Sequence, residues 1–319
     1  MTSDRLRPRS GSSATVVVTV LVAAAMAVSA AAIVAQAARS DTETVAMAGP
    51  GPGAGPERYS GPQGGVGQFV VQCLYSHSAT DDPIVVPDER GMAHRHDFYG
   101  ATRTRADSTP AALRRGKTTC DKSGDTAAYW HPTLSDHGVA VRPRSLAAYY
   151  RAAPGVPRSQ VRPFPFGLAM IAGHPHAHHS QTDGAAGWTC GARSDLLARP
   201  PDCPGTAPLH LVLTFPDCWD GVNIDAPDHR SHVAYSARGR CADSHPVHVP
   251  QLTVSVTFPI TGSDHDLALS SGSVLTAHGD FLNAWDPAAL AREIAMCIGR
   301  NAVCDLASNR QESPLFQTR

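Results

Sequence analysis

Leu252-Thr253-Val254-Ser255-Val256-Thr257-Phe258 alternates apolar and polar residues without a break. A period of two puts the apolar side chains on one face and the hydroxyls on the other, as a half-buried strand requires. Leu209–Phe215 (LHLVLTF) repeats the pattern, and Phe69–Tyr75 (FVVQCLY) and Val274-Leu275-Thr276 add short β-type runs. Pro, Gly and Asp breaks bound these runs, and long connections rich in Pro, Asp and His separate them. Helix signals are few. Asp286 as N-cap, Pro287 at the first helical position and Leu290, Ile294 and Ile298 at four-residue spacing predict one helix, with Gly299 as its left-handed terminus. A shorter helix is expected over Ser145–Arg151. The pattern predicts a mostly β chain: a single sandwich or jelly-roll-like domain with long loops, few helices and disulfides.

Outward from these strands the chain changes character. Arg5, Arg7 and Arg9 precede an uncharged apolar run over residues 14–35, and Ala35-Gln36-Ala37 is a small-x-small cleavage signature. Residues 1–38 are therefore expected to be a secretory signal peptide. The alternative is a signal anchor that attaches the protein to a membrane through residues 14–35. Residues 39–67, with Gly-Pro-Gly-Pro-Gly-Ala-Gly-Pro at 49–56, read as a flexible linker. Residues 68–305 then form one β-rich domain, and 306–319 a polar tail. Both readings of the N-terminus place the domain outside the cytoplasm, as a secreted or membrane-anchored protein.

The net charge of −1 argues against a nucleic-acid partner, which needs a basic face. All eight cysteines, at 73, 120, 190, 203, 218, 241, 297 and 304, fall in the expected domain. An even count in an oxidising compartment predicts disulfides between sequence neighbours, with Cys190–Cys203 and Cys297–Cys304 the clearest loops. No CxxC pair is present, so a zinc–thiolate site is not expected.

Four His/Asp-dense segments carry the candidate chemistry. In His94-Arg95-His96-Asp97-Phe98, the His-x-His spacing on a strand aims both rings to one side. That suits one metal ion or acid–base work, and Asp97 can orient a ring. Asp217-Cys218-Trp219-Asp220-Gly221 follows a strand, where catalytic carboxylates often sit, and Trp219 offers either a core plug or a flat face for a sugar ring. Asp228-His229-Arg230-Ser231-His232 adds two imidazoles, a carboxylate and a guanidinium suited to clamping an anion; the plainer role for Arg230 is a loop salt bridge. In His278-Gly279-Asp280-Phe281, Gly279 permits close backbone approach, so His278 and Asp280 can both face a cavity. His174-Pro175-His176-Ala177-His178-His179 reads as an exposed loop that takes up metal adventitiously. The chain holds no G-x-S-x-G, H-E-x-x-H or Walker pattern.

These motifs occur in order with Val70-Val71-Gln72-Cys73, Asp82-Pro83-Ile84-Val85, Thr118-Thr119-Cys120, Ala128-Tyr129-Trp130, Met170-Ile171-Ala172-Gly173, His245-Pro246-Val247 and Leu269-Ser270-Ser271-Gly272. Over about residues 68–298 the chain resembles a family of secreted bacterial and fungal proteins catalogued as a domain of unknown function. Fungal members of that family are sometimes joined to WSC carbohydrate-binding modules. The resemblance implies an exported domain working near cell walls or extracellular polysaccharide. Cys304 and the His174–His179 cluster lie outside the pattern, and this chain has no WSC module of its own.

The reading that follows is a carbohydrate-active hydrolase or lyase with a shared His/Asp cleft. His96 or His229 would be the general base, oriented by Asp97 or Asp228, with Asp217 or Asp220 as the carboxylic partner. Arg230 and Trp219 would hold substrate. The alternative is a non-catalytic glycan- or metal-binding extracellular module, with His94, His96, His232 and His278 as ligands of a divalent metal, the one cofactor the pattern suggests. The cleavage signature gives the first test: N-terminal sequencing of the exported protein should begin near Ala38, and recovery of intact Met1 in a membrane fraction would establish an anchor.

Overall fold

The computed structural model describes residues 67–181, 184–191 and 195–304. The expected signal segment, the linker up to residue 66 and the polar tail lie outside the described residues. Ten strands build the main sheet, labelled in chain order: β1 Gln68–Ala79, β2 His96–Gly100, β3 Ala128–Pro132, β4 Ser145–Arg151, β5 Ala169–Gly173, β6 Ala186–Cys190, β7 Leu209–Thr214, β8 Gln251–Thr257, β9 His278–Leu282 and β10 Val303–Cys304. The order across the sheet is β5-β9-β3-β2-β1-β4-β8-β7-β6, all antiparallel, and β10 pairs in parallel with the start of β1.

Strand β1 makes the fold two-layered. Its first half, Gln68–Leu74, pairs with β4, and its second half, from Tyr75 to Ala79, pairs with β2. A register shift between Tyr75 and His77 separates the halves. Such an irregularity bends a strand and lets it serve two sheets at a corner. One layer then continues through β4, β8, β7 and β6, the other through β2, β3, β9 and β5. The layers face each other across a core that includes Phe69, Tyr150, Leu211, Leu213, Val254, Val256, Tyr129, Met170, Phe281 and Trp285. The result is a mostly β, nearly closed sandwich, as expected.

Two glycines let the layers meet. A Cβ on Gly279 would lie 2.4 Å from Leu213 Cδ1 of the facing layer and 3.0 Å from the Trp130 carbonyl oxygen. Gly173 ends β5 with φ +76°, and a Cβ there would lie 2.4 Å from the Ala277 carbonyl oxygen and 3.2 Å from Ala186 Cβ of β6. The opposite ends of the long sheet thus approach each other where side chains have been removed.

The second layer is covered on its outer side too. Phe98, Ala128, Trp130, Ala169, Ile171 and Leu282 form a smaller apolar cluster there with Ile84, Leu113 and Ala284. Three local expectations are corrected. Ser145–Arg151 is a strand, not a helix: Leu146, Ala148 and Tyr150 point into the core between β1 and β8, so packing outweighs the helical leaning of its alanines. Val274–Thr276 is a single 3₁₀ turn, not a strand. The helix Pro287–Glu293 is capped by Asp286 as expected, and Ile294–Ile298 continues it in a π turn. Gly299, however, is right-handed at φ −59°, and Asn301 takes the left-handed position at φ 57°.

Four disulfides, Cys73–Cys120, Cys190–Cys203, Cys218–Cys241 and Cys297–Cys304, join sequence neighbours as expected and use every cysteine. Such bridges persist in oxidising compartments. Among the described residues no helix is long and apolar enough to cross a membrane. The glycine contacts give a stability order. Gly173→Ala meets backbone and a left-handed φ together, and should cost at least about 2 kcal/mol. Gly279→Ala meets chiefly a side-chain methyl and should cost less, about 1–2 kcal/mol. Urea denaturation of both variants checks the ranking; equal stabilities would mean the layers have slack.

Candidate metal centre

Alternation along β9 decides where its polar groups go. Gly279 and Phe281 face the sandwich core, so His278 and Asp280 stand on the outer side of the layer. On β2 the same rule puts Tyr99 inward and His96 and Phe98 outward, and register aligns Phe98, Trp130 and Asp280 across β2, β3 and β9. His94 lies just before β2 and on the same side. Segment Asp81–Val86 roofs this face. The Asp82 carboxylate accepts from the amides of Ile84 and Val85 (2.8 and 2.9 Å), which turns the chain and packs Ile84 on the apolar cluster.

The three imidazoles converge. Ring centroids lie 4.1 Å apart for His94 and His96, 5.2 Å for His94 and His278 and 6.3 Å for His96 and His278. One ring nitrogen from each falls within 4.8 Å of the other two. A second set, Asp82, His96 and Asp280, meets the same limit. His96 therefore joins a three-imidazole face to a two-carboxylate face, with its Nε2 4.0 Å from Asp82 Oδ2. Burial is nearly complete: His96 is 0 %, Asp280 2 %, His278 3 % and Asp82 4 % exposed. Only His94 is half-buried.

Hydrogen bonds fix two of the rings. His96 Nδ1 lies 3.0 Å from the Asp81 carbonyl oxygen, and His278 Nδ1 2.8 Å from that of Thr276. A carbonyl only accepts, so each Nδ1 carries the proton and each Nε2 presents a lone pair. The Nε2 atoms of His94 and His96 are buried without a hydrogen-bond partner among the described residues, as are both carboxyl oxygens of Asp280. Burial holds all three imidazoles below the ordinary histidine range: His278 is pushed down to about 3, His96 falls well below normal, and His94 is lowered by burial and then by His176. Burial and then the Asp82 charge push Asp280 well above the carboxylate range, with Arg230 opposing; burial also raises Asp82. Two tautomer-fixed imidazoles with a third beside them and desolvated carboxyls are groups that could hold a transition-metal ion.

The other candidates divide. Arg230 donates from Nη2 to the Gly173 carbonyl (2.8 Å), next to His278 across the β5–β9 register, and its charge reaches His278 and Asp280. His229, at φ 55°, bonds Asp225 through Nδ1 (2.9 Å), and its charge reaches Asp82. So His229 is oriented by Asp225, not by Asp228. His232 is buried, with Nε2 2.7 Å from the Ala169 carbonyl; it pins the loop to β5 and is not among the grouped ligands. Asp228 accepts from Arg230 N, Ser231 N and Ser231 Oγ, which hold its carboxyl down to about 2 and make it the stop of a turn.

Asp97 does not orient His96; it accepts from the hydroxyls of Ser78 and Thr133 inside the layer. Asp217 accepts from Ser236 N (2.9 Å) beside the Cys218–Cys241 bridge, and burial raises its carboxyl. Asp220 closes a turn through Val222 N, Asn223 N and Asn223 Nδ2. Neither is grouped with the histidines. The half-buried Trp219 packs against the main core and donates its indole N–H to the Asn223 carbonyl (2.6 Å), which favours the core role. Asp81 and Asp82 escaped sequence reasoning as site residues. Asp82 stood in the Asp82-Pro83-Ile84-Val85 motif of the resemblance, but that motif reads as the start of a turn and says nothing about what the turn covers.

The depressed basicity of His278 sets a pH test on metal-free protein. A histidine held at about 3 when folded and near 6.5 when unfolded adds protons first in the unfolded state. Stability resting on its neutral ring is complete above pH 6.5 and drains as pH falls toward 3, at up to ~1.4 kcal/mol per pH unit. Wild type should therefore lose stability relative to His278→Gln over that window. A pH-independent difference between the two would show that the ring is solvated in the native state.

Comparison with known proteins supplies a family but no activity. No curated protein and no solved structure gives a significant match. A family model described as a domain of unknown function (DUF1996) matches residues 82–285, which includes Asp82, all three histidines, Asp280 and the Arg230 loop. The match covers more than half of the sequence, and the chain belongs to the DUF1996 family.

Proposed function

We propose that this domain is an extracellular metal-binding protein whose centre is His94, His96 and His278, with Asp82 and Asp280 behind His96. The observation that carries the reading is the pair of Nδ1–H to carbonyl bonds that fix the rings of His96 and His278, with the Nε2 of His96 buried and unpartnered beside the other two imidazoles. A borderline divalent ion such as Zn²⁺, Cu²⁺ or Ni²⁺ suits imidazole nitrogen, and neutral rings release no proton on binding it. The disulfides and the N-terminal signature fit export.

A second reading makes the centre catalytic, a metal-assisted hydrolase or lyase acting on cell-wall or extracellular polysaccharide. Three protein nitrogens leave coordination positions for water or substrate, as in catalytic zinc sites, and Asp280 is a buried acid with both oxygens unpartnered. The Arg230 guanidinium at the rim fits an anionic or hydroxyl-rich ligand. The polysaccharide itself rests on the resemblance to WSC-linked proteins.

Elemental analysis of purified protein, loaded and desalted, should give one divalent ion per chain. His96→Ala and His278→Ala should each weaken binding on the order of a hundredfold, because the affinity depends on every ligand and its outer partner. Asp217→Asn should bind normally. At a free-metal concentration a hundred times the dissociation constant, stability should rise by about 2.7 kcal/mol. Unchanged binding in both histidine variants would overturn the centre. Metal-dependent turnover across a glycan panel, lost in Asp280→Asn, would establish the catalytic reading over the binding module.

A further inference from the structure

A histidine-rich loop sits beside the centre. His174-Pro175-His176-Ala177-His178-His179 leaves β5 directly after Gly173, the register partner of His278. Gln181 fastens its far end. The Gln181 side-chain carbonyl accepts from His174 N (3.1 Å), and its amide donates to the carbonyls of Leu275 and Ala277, both at 2.8 Å. Ala277 immediately precedes His278, so both ends of the loop are held to the strands that carry the site. The rings of His176, His178 and His179 belong to exposed residues. His176 stands close enough to His94 for its charge to lower the basicity of that ring. His94 in turn is the only half-buried member of the triad, while His96 and His278 are closed off. His94 is therefore the member of the triad with surface exposure.

We propose that the His174–His179 loop is a second, solvent-facing site for a divalent transition metal, and that it captures the ion and passes it by way of His94 to the buried triad. The proposal rests on the metal-centre reading above. A buried three-histidine pocket is a poor collector, because an ion must lose water before it can enter. Exposed imidazoles within a few residues of one another bind such ions weakly and reversibly. Holding an ion next to the entrance raises its local concentration far above that in solution, so filling becomes effectively intramolecular. The same loop spaced away from the triad would gain nothing, which gives the Gln181 anchors a purpose.

The test uses the full chain stripped of metal, with Zn²⁺ alone as probe. Calorimetric titration of wild type should show two classes, a tight one and a weaker one. In the triple variant His176→Ala/His178→Ala/His179→Ala the weaker class should vanish while the tight class keeps its affinity. At substoichiometric Zn²⁺, the rate of filling the tight class should fall on the order of tenfold. In His96→Ala the tight class should vanish and the weaker one remain. If the triple variant fills its tight class as fast as wild type, the loop binds metal adventitiously only and the proposal is overturned, while the centre stands. If wild type shows the weaker class alone, the centre reading fails and the transfer proposal fails with it.

Discussion

The structure turns on the desolvation of one face of one strand. β9 must fill the sandwich core with Phe281 and, through Gly279, let Leu213 approach; alternation then forces His278 and Asp280 outward. That outer side is not solvent. The Asp81–Val86 roof and the Trp130 cluster exclude water from it. An isolated charge in such a place costs several kcal/mol, a large part of a domain's net stability. Burial accordingly lowers the basicity of the imidazoles and raises the Asp280 carboxyl well above the ordinary carboxylate range, both of which favour the uncharged forms. A fold that only needed a stable outer layer would be served by Leu at 278 and 280, because apolar groups of similar size fill such space without any hydrogen-bonding cost.

The same double burial explains what the sequence revealed of the fold. Strand β8 and the 209–215 run were legible because each shows an apolar stripe against polar residues. The second layer was not. β2, β3, β5 and β9 are buried along their whole length, on the core side and under the roof, so polar outward residues do not mark their period. HDFYG and HGDFL carry site residues where a plain strand would carry threonine, and AYWHP and AMIAG place Trp130 and Ile171 in the outer apolar cluster. In β4, SLAAYYR, the inward set of Leu146, Ala148 and Tyr150 was present but masked by alanines that favour helix.

The site was partly legible for a related reason. His94, His96 and His278 stood out because imidazoles in β-type runs have few structural uses. Asp217, Asp220 and Asp228 stood out equally by density, yet each accepts backbone amides structurally: Asp220 and Asp228 in their own turns, Asp217 from Ser236 across the bridged loop. Sequence proximity of Asp to Gly, Ser or Asn signals that local role as strongly as it signals chemistry. The long loop after β7 is fixed instead by the Cys218–Cys241 bridge and by His232 and Arg230, which grip the carbonyls at opposite ends of β5. Held at those points, it is a wall of the site rather than a lid.

The lone pairs themselves separate a metal centre from a buried polar network. In a network, each acceptor faces a donor. Here the Nδ1 protons of His96 and His278 already point to carbonyls, so their Nε2 atoms can only accept unless the rings take a second proton, which burial opposes. A protonated Asp280 would supply one donor and a trapped water two, so either satisfies part of the set, but three imidazole lone pairs within 4.8 Å of one another, with Asp82 also at hand, exceed what one of them can satisfy. A cation would satisfy all of them together. It would also favour the ionised forms of Asp82 and Asp280, whose carboxyls burial raises, and so make them available as ligands or neutralising neighbours. The arrangement is costly as a core and coherent as a donor set, and that contrast is what favours the metal-binding proposal over a structural one.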